Sequence, residues 1–366
     1  MVESSRSPIS SWAAVVPVLA VVALALTWNR ELGTGLVVVV AAVLVGAVLA
    51  AVHHAEVVAH RVGEPFGSLV LAVAVTVIEV ALIVTLITAG GPETASLARD
   101  TVFAAVMITT NGIVGISLLL GALRHGVTLF NAEGTGAALA TVTTLATVCL
   151  VLPTFTTAEP GPEFSPAQLT FAAIASLALY GMFVLTQTVR HRDFFLPVVP
   201  ERGADEVEEH APPPSGRAAA TSLGLLVVAL VAVVGLAKVL SPAIEAGVDA
   251  VGFPPSFVGV VIAALVLLPE TLAAVRAAHR DRIQISLNLA YGSAIASIGL
   301  TIPAVAVASI WLDGPLLLGL GPTQMVLLAM TVVVSVLTVV PGRATRLQGG
   351  VHLILVAAFL FLAVNP

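Results

Sequence analysis

The sequence predicts an all-α polytopic membrane protein of about eleven transmembrane helices, one N-terminal extra helix followed by two inverted five-helix repeats. Three observations carry that expectation. The 366 residues are 58% hydrophobic and only 10% charged, with a mean hydropathy of +1.08, whereas soluble domains carry about 25% charged residues. Apolar runs of the length that crosses a bilayer, about 20 residues, recur between polar breaks along the whole chain. Two glutamates, Glu79 and Glu270, are the only acidic residues deep inside such runs, and each stands 13 residues after a phenylalanine, Phe66 and Phe257. A carboxylate in mid-membrane costs about 2.5–3.5 kcal/mol on insertion scales, so a matched pair points to one cation site built twice.

Taken in order, the runs place helices at about 12–28, 34–53, 65–88, 101–122, 134–153, 167–189, 218–240, 256–278, 284–310, 323–341 and 346–364. Gly90-Gly91-Pro92 separates the third from the fourth and Pro160-Gly161-Pro162 the fifth from the sixth, both with the composition of turns. Met1 to Ser11 carries no secretory cleavage pattern, so the first run reads as a retained span. Arginine and lysine then set the orientation. Arg6, Arg61, Arg124, Arg190, Arg192, Arg202, Arg217, Arg276, Arg280, Arg282, Arg343 and Arg346 fall on one side, and only Arg30, Arg99 and Lys238 on the other. The richer side is the cytoplasmic one. The N-terminus is therefore inside and, with an odd span count, the C-terminus outside. The lipid bilayer is the first partner this implies. A net charge of -6 and the absence of a basic run argue against nucleic acid. The lone Cys149 sits in an apolar run, which excludes a disulfide framework or a cysteine metal cluster and reads as a small core residue.

Glu79 falls in the third span and Glu270 in the eighth, so their helices run antiparallel. A five-span unit used twice must invert, and inverted repeats with a site near the midplane recur in secondary transporters. The expected organisation is an extra helix over 1–30, a first repeat over 31–189, a cytoplasmic acidic linker over 190–217 and a second repeat over 218–366. Each glutamate lies about 14 residues into its helix, or roughly 21 Å at 1.5 Å per residue, entered from opposite faces. The linker holds Glu201, Asp205, Glu206, Glu208 and Glu209, then His210 and Pro212 to Pro214. It is either a solvated connection or a patch that draws cations to the cytoplasmic mouth.

Two facing carboxylates neutralise a divalent ion, and hard cations such as Ca²⁺ take 6–8 oxygen ligands. When the ion leaves, like charges in a dry cavity repel and are poorly solvated, so protons take its place. The same two residues then hold the metal or protons but not both, which is the core of an exchange mechanism. Pro269, just before Glu270, and Gly67 in the third span are places for local unwinding that exposes backbone carbonyls. The helices after each motif carry Thr109-Thr110-Asn111-Gly112 with Ser117, and Ser286, Asn288, Gly292-Ser293, Ser297 and Gly299. Asn111, Asn288, Ser293 and Ser297 are candidate cation ligands, although small and hydroxyl residues at such spacing also serve close helix packing.

Glu64 precedes Pro65; it is a helix-initiating charge or a proton relay at the cytoplasmic entrance. Asp100 and Glu133 read as charges that open helices. His53, His54, His60, His125, His191, His210 and His279 fall on or near the cytoplasmic side. They are interfacial residues or sensors of cytoplasmic pH. No His-Glu-Xaa-Xaa-His, Gly-Xaa-Ser-Xaa-Gly or aspartate-rich motif occurs, so nothing supports an enzyme.

Three stretches of the first half, Gly63-Glu64-Pro65-Phe66-Gly67 to Val77-Ile78-Glu79, Leu97-Ala98-Arg99-Asp100-Thr101 and Asn111-Gly112, resemble the bacterial ChaA-type calcium/proton antiporters of the calcium/cation antiporter superfamily. So do Leu268-Pro269-Glu270-Thr271, Ser286-Leu287-Asn288-Leu289, Gly292-Ser293 and Ser297-Ile298-Gly299-Leu300-Thr301-Ile302-Pro303 in the second half. The likeness runs from the second span onward. It implies eleven spans, an acidic cytoplasmic loop between the halves and proton-driven efflux of Ca²⁺, with some members linked to Na⁺ or K⁺. Plant and fungal relatives carry a Gly-Asn-Ala-Xaa-Glu type motif, whereas Thr76-Val77-Ile78-Glu79 and Leu267-Leu268-Pro269-Glu270 lack its asparagine. The expected function is exchange of cytoplasmic Ca²⁺, or Na⁺ or K⁺, for protons, with no cofactor beyond the transported ions. A Na⁺/K⁺-proton antiporter without Ca²⁺ transport and a cation channel are the rivals, and a homo-oligomer is compatible with either.

Overall fold

A computed structural model describes residues 11–30, 32–63, 66–89, 92–198, 214–311 and 314–366. Along it run α1 (Ser11–Thr27), α2 (Thr34–Val62), α3 (Phe66–Ala89), α4 (Leu97–Met107), α5 (Val114–His125), α6 (Ala132–Ala146), α7 (Pro166–Leu185), α8 (Gly216–Ala250), α9 (Phe257–Val266), α10 (Leu268–His279), α11 (Ile283–Ala308), α12 (Pro322–Val339) and α13 (Arg346–Val364). Among the described residues nine helical stretches are long and apolar enough to cross a membrane, and α9 with α10, bent by 55° at their junction, makes a tenth. The remaining expected span is α1, which at 17 residues falls short of the roughly 20 that a straight crossing needs. Every one of the eleven apolar runs is therefore helical.

Helix boundaries follow local chemistry. Helix α2 continues past the expected stop at 53 because Ala55, Glu56, Val57 and Val58 are all helix-compatible, and Gly63 ends it at φ 76 with its N–H on the Ala59 carbonyl. Only glycine adopts that backbone cheaply. Helix α8 passes through Pro242 to Ala250, 35 residues in all, where the sequence suggests a stop near 240. Asp100 and Glu133 stand in the first turns of α4 and α6, as expected of acidic residues near the positive helix end. The side chain of Asn131 caps α6 by accepting from the Glu133 and Gly134 N–H groups.

Among the described residues three π-turns, Ile108–Ile113, Thr147–Val151 and Thr186–Arg190, interrupt regular helix in the fourth, fifth and sixth spans. Helices α4 and α5 are joined by a π-turn, Ile108–Ile113, so the fourth span is one continuous but overwound-then-relaxed rod, Thr94–His125, and it is the most deeply buried span of its unit. A π-turn inserts one residue, shifts the following face by about 100° and leaves a carbonyl without its usual donor.

The chain packs as two compact units, one drawn from Met1–Thr85 and Pro212–Ile244, the other from Leu86–Ala211 and Glu245–Pro366. In the first, α1 lies against α2, with Gly46 facing Val16 and the buried His54 ring bonding the Ala13 carbonyl through Nε2 at 2.8 Å. His54 is thus a core residue tying two helices. Lys238 of α8 sits 5.4 Å above the Trp28 ring, a cation–π contact.

The second unit shows reciprocal pairings. Helix α5 packs on α13 as α11 packs on α7. Strand β1 (Thr128–Leu129) pairs antiparallel with β2 (Arg343–Ala344), joining the loop after the fourth span to the loop after the tenth. Glu163 pairs with Leu317, joining the loop after the fifth to the loop after the ninth. Exchanging the third and fifth spans of one half with those of the other maps each of these contacts onto its counterpart.

Candidate functional site

Glu79 lies midway along α3 and is 3% exposed, on the same buried stripe as Thr76, Ile78, Leu82 and Ile83. Such a stripe is the side of the helix turned to protein rather than lipid. Gly67, in the first turn of the same helix, does not unwind it. A Cβ there would stand 2.6 Å from the Ala59 carbonyl oxygen, so this glycine serves the close approach of α2.

Glu270 has a different setting. It is the third residue of α10, directly after the 55° break. Pro269 has no N–H to return to the carbonyl of Leu265, which is how proline breaks a helix. Glu270 therefore stands in the first turn of a half-helix, where free N–H groups and the macrodipole favour an anion. Thr271 bonds the Leu267 carbonyl through both its N–H, at 2.9 Å, and its hydroxyl, at 2.7 Å. The expected local opening at Pro269 is present, and the side chain it displays is half-buried.

The neutral candidates divide into two groups. Asn111 is fully buried in the π-turn. Its Nδ2 donates to Thr331 Oγ1 at 2.9 Å and Thr110 Oγ1 at 3.3 Å, and its Oδ1 accepts from His352 Nδ1 at 3.1 Å. Asn288 donates to the Phe195 carbonyl at 2.6 Å and accepts from Gln284 at 2.8 Å, which ties α11 to the segment after α7. Both amides are engaged in holding helices together in this conformation. Ser293 and Ser297 lie on α11, the latter 5% exposed. Ser117 and Ser286, noted in the sequence as small residues, bond each other across α5 and α11 at 2.5 Å. Glu64 lies outside the described residues. Among the described residues no three His, Cys, Asp or Glu side chains are grouped so as to hold a metal ion. A cation held there must draw on neutral side chains, backbone carbonyls and water as well as carboxylate.

Asp100 is a structural carboxylate. It is 4% exposed and accepts from Ser96 Oγ at 2.7 Å, from Arg99 at 2.8 Å and from Gln324 at 3.4 Å. It borders a recess of about 180 Å³ whose wall also carries Glu245, Asp249, Thr94 and Ser256. His352, the one histidine of α13, is itself fully buried and leaves no mark in the sequence pattern, because an imidazole in an apolar run gives no periodic signal.

Comparisons with known proteins agree with this architecture. The family described as "Sodium/calcium exchanger protein" matches residues 32–189 and again 221–365. The protein y4hA of Sinorhizobium fredii is 45% identical over 100% of this chain and 98% of its own. The sodium-potassium/proton antiporter ChaA of Escherichia coli is 35% identical, over 94% of each chain. A Ca²⁺/H⁺ antiporter of Aphanothece halophytica is 24% identical over 74% of this chain and 76% of its own. Among solved structures, native YfkE superposes with a TM-score of 0.71 at 15% identity, covering 97% of this chain and 99% of the other. The H⁺/Ca²⁺ exchanger CAX does so at 0.67 and 14%, covering 95% and 86%. The ChaA-type resemblance read from the motifs therefore holds along the chain, which belongs to the sodium/calcium exchanger protein family and is a multi-pass membrane transporter of cations.

Proposed function

We propose that this transporter exchanges cytoplasmic Ca²⁺ for protons, with Glu79 and Glu270 carrying both loads. The observation that carries the reading is a carboxylate, Glu79, buried to 3% exposure in mid-span, answered in the other half by Glu270 at a proline-made helix break. Each setting suits a charge that is alternately ionised and neutral. A mid-membrane carboxylate is costly when bare, and a half-helix N-terminus offers N–H groups to the ionised form. A cation or a proton neutralises it equally well, so the two compete. Ser293 and Ser297, with carbonyls near the break, are the proposed neutral ligands. Asn111 and Asn288 are proposed as ligands only after release from their present bonds. Glu64 remains the proposed relay at the entrance.

The repeat organisation, 31–189 and 218–366 flanking an acidic linker, is part of this reading. It is supported by a single family description matching 32–189 and 221–365, and by the reciprocal pairings of the second unit. The Arg/Lys distribution supports a cytoplasmic N-terminus and an external C-terminus.

A second reading, exchange of Na⁺ or K⁺ for protons without Ca²⁺, is favoured by the 35% identity to an antiporter named for those ions. Proteoliposomes with an imposed pH gradient and a fluorescent proton probe separate the two. Addition of Ca²⁺ collapses the gradient if the proposal holds. Collapse by Na⁺ or K⁺ alone supports the second reading, and no collapse with any cation removes both.

A further inference from the structure

We propose that His352 is a positioning residue of the exchange reaction, holding the π-turn of the fourth span in its relaxed form by bonding the side chain of Asn111 within it. This rests on the exchange reading above and concerns a side chain that the reading does not use.

The seam that delivers His352 is made by glycine. A Cβ at Gly349 would stand 2.6 Å from the Leu119 nitrogen, and one at Gly115 3.1 Å from the Gly349 oxygen and 3.1 Å from His352 Cβ. Helices α5 and α13 therefore meet backbone to backbone, as small residues allow in membranes. The reciprocal seam between α7 and α11 sets Tyr180 against Gly299 and carries no imidazole, so the device belongs to one half only.

The hydrogen positions follow from the neighbours. Thr110 gives its hydroxyl hydrogen to the Val106 carbonyl at 2.6 Å, so toward Asn111 it only accepts. That fixes the amide nitrogen on the threonine side and the amide oxygen toward His352, 3.1 Å from Nδ1. An amide oxygen cannot donate, so Nδ1 carries the hydrogen. Nε2 then accepts and faces Thr338 Oγ1 at 3.2 Å; that hydroxyl shares its one hydrogen between the ring and the Val334 carbonyl at 2.9 Å.

The π-turn needs such a partner. Val114 N–H bonds the oxygens of Asn111 and Thr109, and the Asn111 side chain inside the turn is seated by His352, Thr331 and Thr110. An amide oxygen of Asn111 left bare in a dry interior costs about 1–3 kcal/mol. Without the imidazole, the cheaper course is to close the turn into regular α-helix. That shift moves the residues on one side of the turn by about 100° around the axis, and Thr109 and Thr110 leave their present seats.

Exchange rates in proteoliposomes test this, with melting temperature in detergent as the folding control. Asparagine at 352 places an amide N–H close to where Nδ1 stands, whereas glutamine reaches toward Thr338 instead. His352→Asn keeps at least half of the wild-type rate, while His352→Gln and His352→Ala lose about tenfold or more. His352→Ala combined with Asn111→Ala is no slower than the slower single variant, because the imidazole acts through Asn111. Wild-type rates in a folded His352→Ala overturn the inference, as does equal impairment of the asparagine and glutamine variants at equal melting temperature. If His352→Ala does not fold, the Asn–Gln contrast decides alone. Failure of the wild-type protein to exchange any cation instead removes the exchange reading, so the two failures are distinct.

Discussion

At the scale of single residues, the two glutamates differ in how they are held, and that difference shapes what their replacement does. Glu79 is a mid-helix carboxylate at 3% exposure; Glu270 opens a half-helix. Glu79→Gln is expected to fold, since the amide keeps the shape of the side chain and brings no charge into the membrane. Glu270→Gln loses the helix-terminus interaction of about 0.3–1 kcal/mol and melts slightly lower. Because protons and cation compete for the same oxygens, the half-saturating cation concentration rises as pH falls, by up to about tenfold per pH unit for each proton displaced. A half-saturation that stays constant between pH 6 and pH 8 contradicts shared binding. Asp100 behaves otherwise. Asp100→Asn weakens its bonds to Arg99 and Ser96, is expected to cost about 1–3 kcal/mol of stability, and leaves the cation dependence of exchange unchanged.

At the scale of elements, the break between α9 and α10 is the feature with the clearest consequence. Pro269→Ala restores the missing N–H and favours a straight helix, so the melting temperature holds or rises while exchange falls about tenfold or more, since Glu270 loses its place in a first turn. A variant that exchanges normally shows the break to be incidental. Close packing is equally testable. A Cβ at Gly259 would meet the Thr101 nitrogen at 2.8 Å, so Gly259→Ala separates α9 from α4 and costs about 1–3 kcal/mol. These elements also mark what the sequence could and could not disclose. Apolar runs and turn residues located every span, and Pro269 announced its break. The π-turn of the fourth span left no trace, because Ile108–Ile113 carries no proline to mark a break. Helix α8 outran its expected end because Pro242 removes a single bond, which the helix tolerates. Asn111 and Asn288 looked like free oxygens in sequence, yet tertiary neighbours claim both.

At the scale of the whole molecule, inversion of one half relative to the other is the organising idea, and it makes a topological prediction. Cys149 is fully buried, so the chain provides a quiet background for labelling. Ala158→Cys, in the exposed loop after the fifth span, is expected to react with an impermeant maleimide in intact cells. Arg280→Cys, exposed after α10, reacts only after lysis. The reverse pattern overturns the assigned orientation, and labelling of both from outside overturns the alternation. The central claim is that one set of carboxylates carries cation and proton in turn. The measurement that reaches it most directly follows radiolabelled Ca²⁺ uptake and proton release together in proteoliposomes of the wild type, Glu79→Gln and Glu270→Gln. The account predicts coupled fluxes in the wild type and loss of both fluxes in each variant. Calcium uptake that persists in either variant while proton release disappears, or exchange that survives in both, contradicts it.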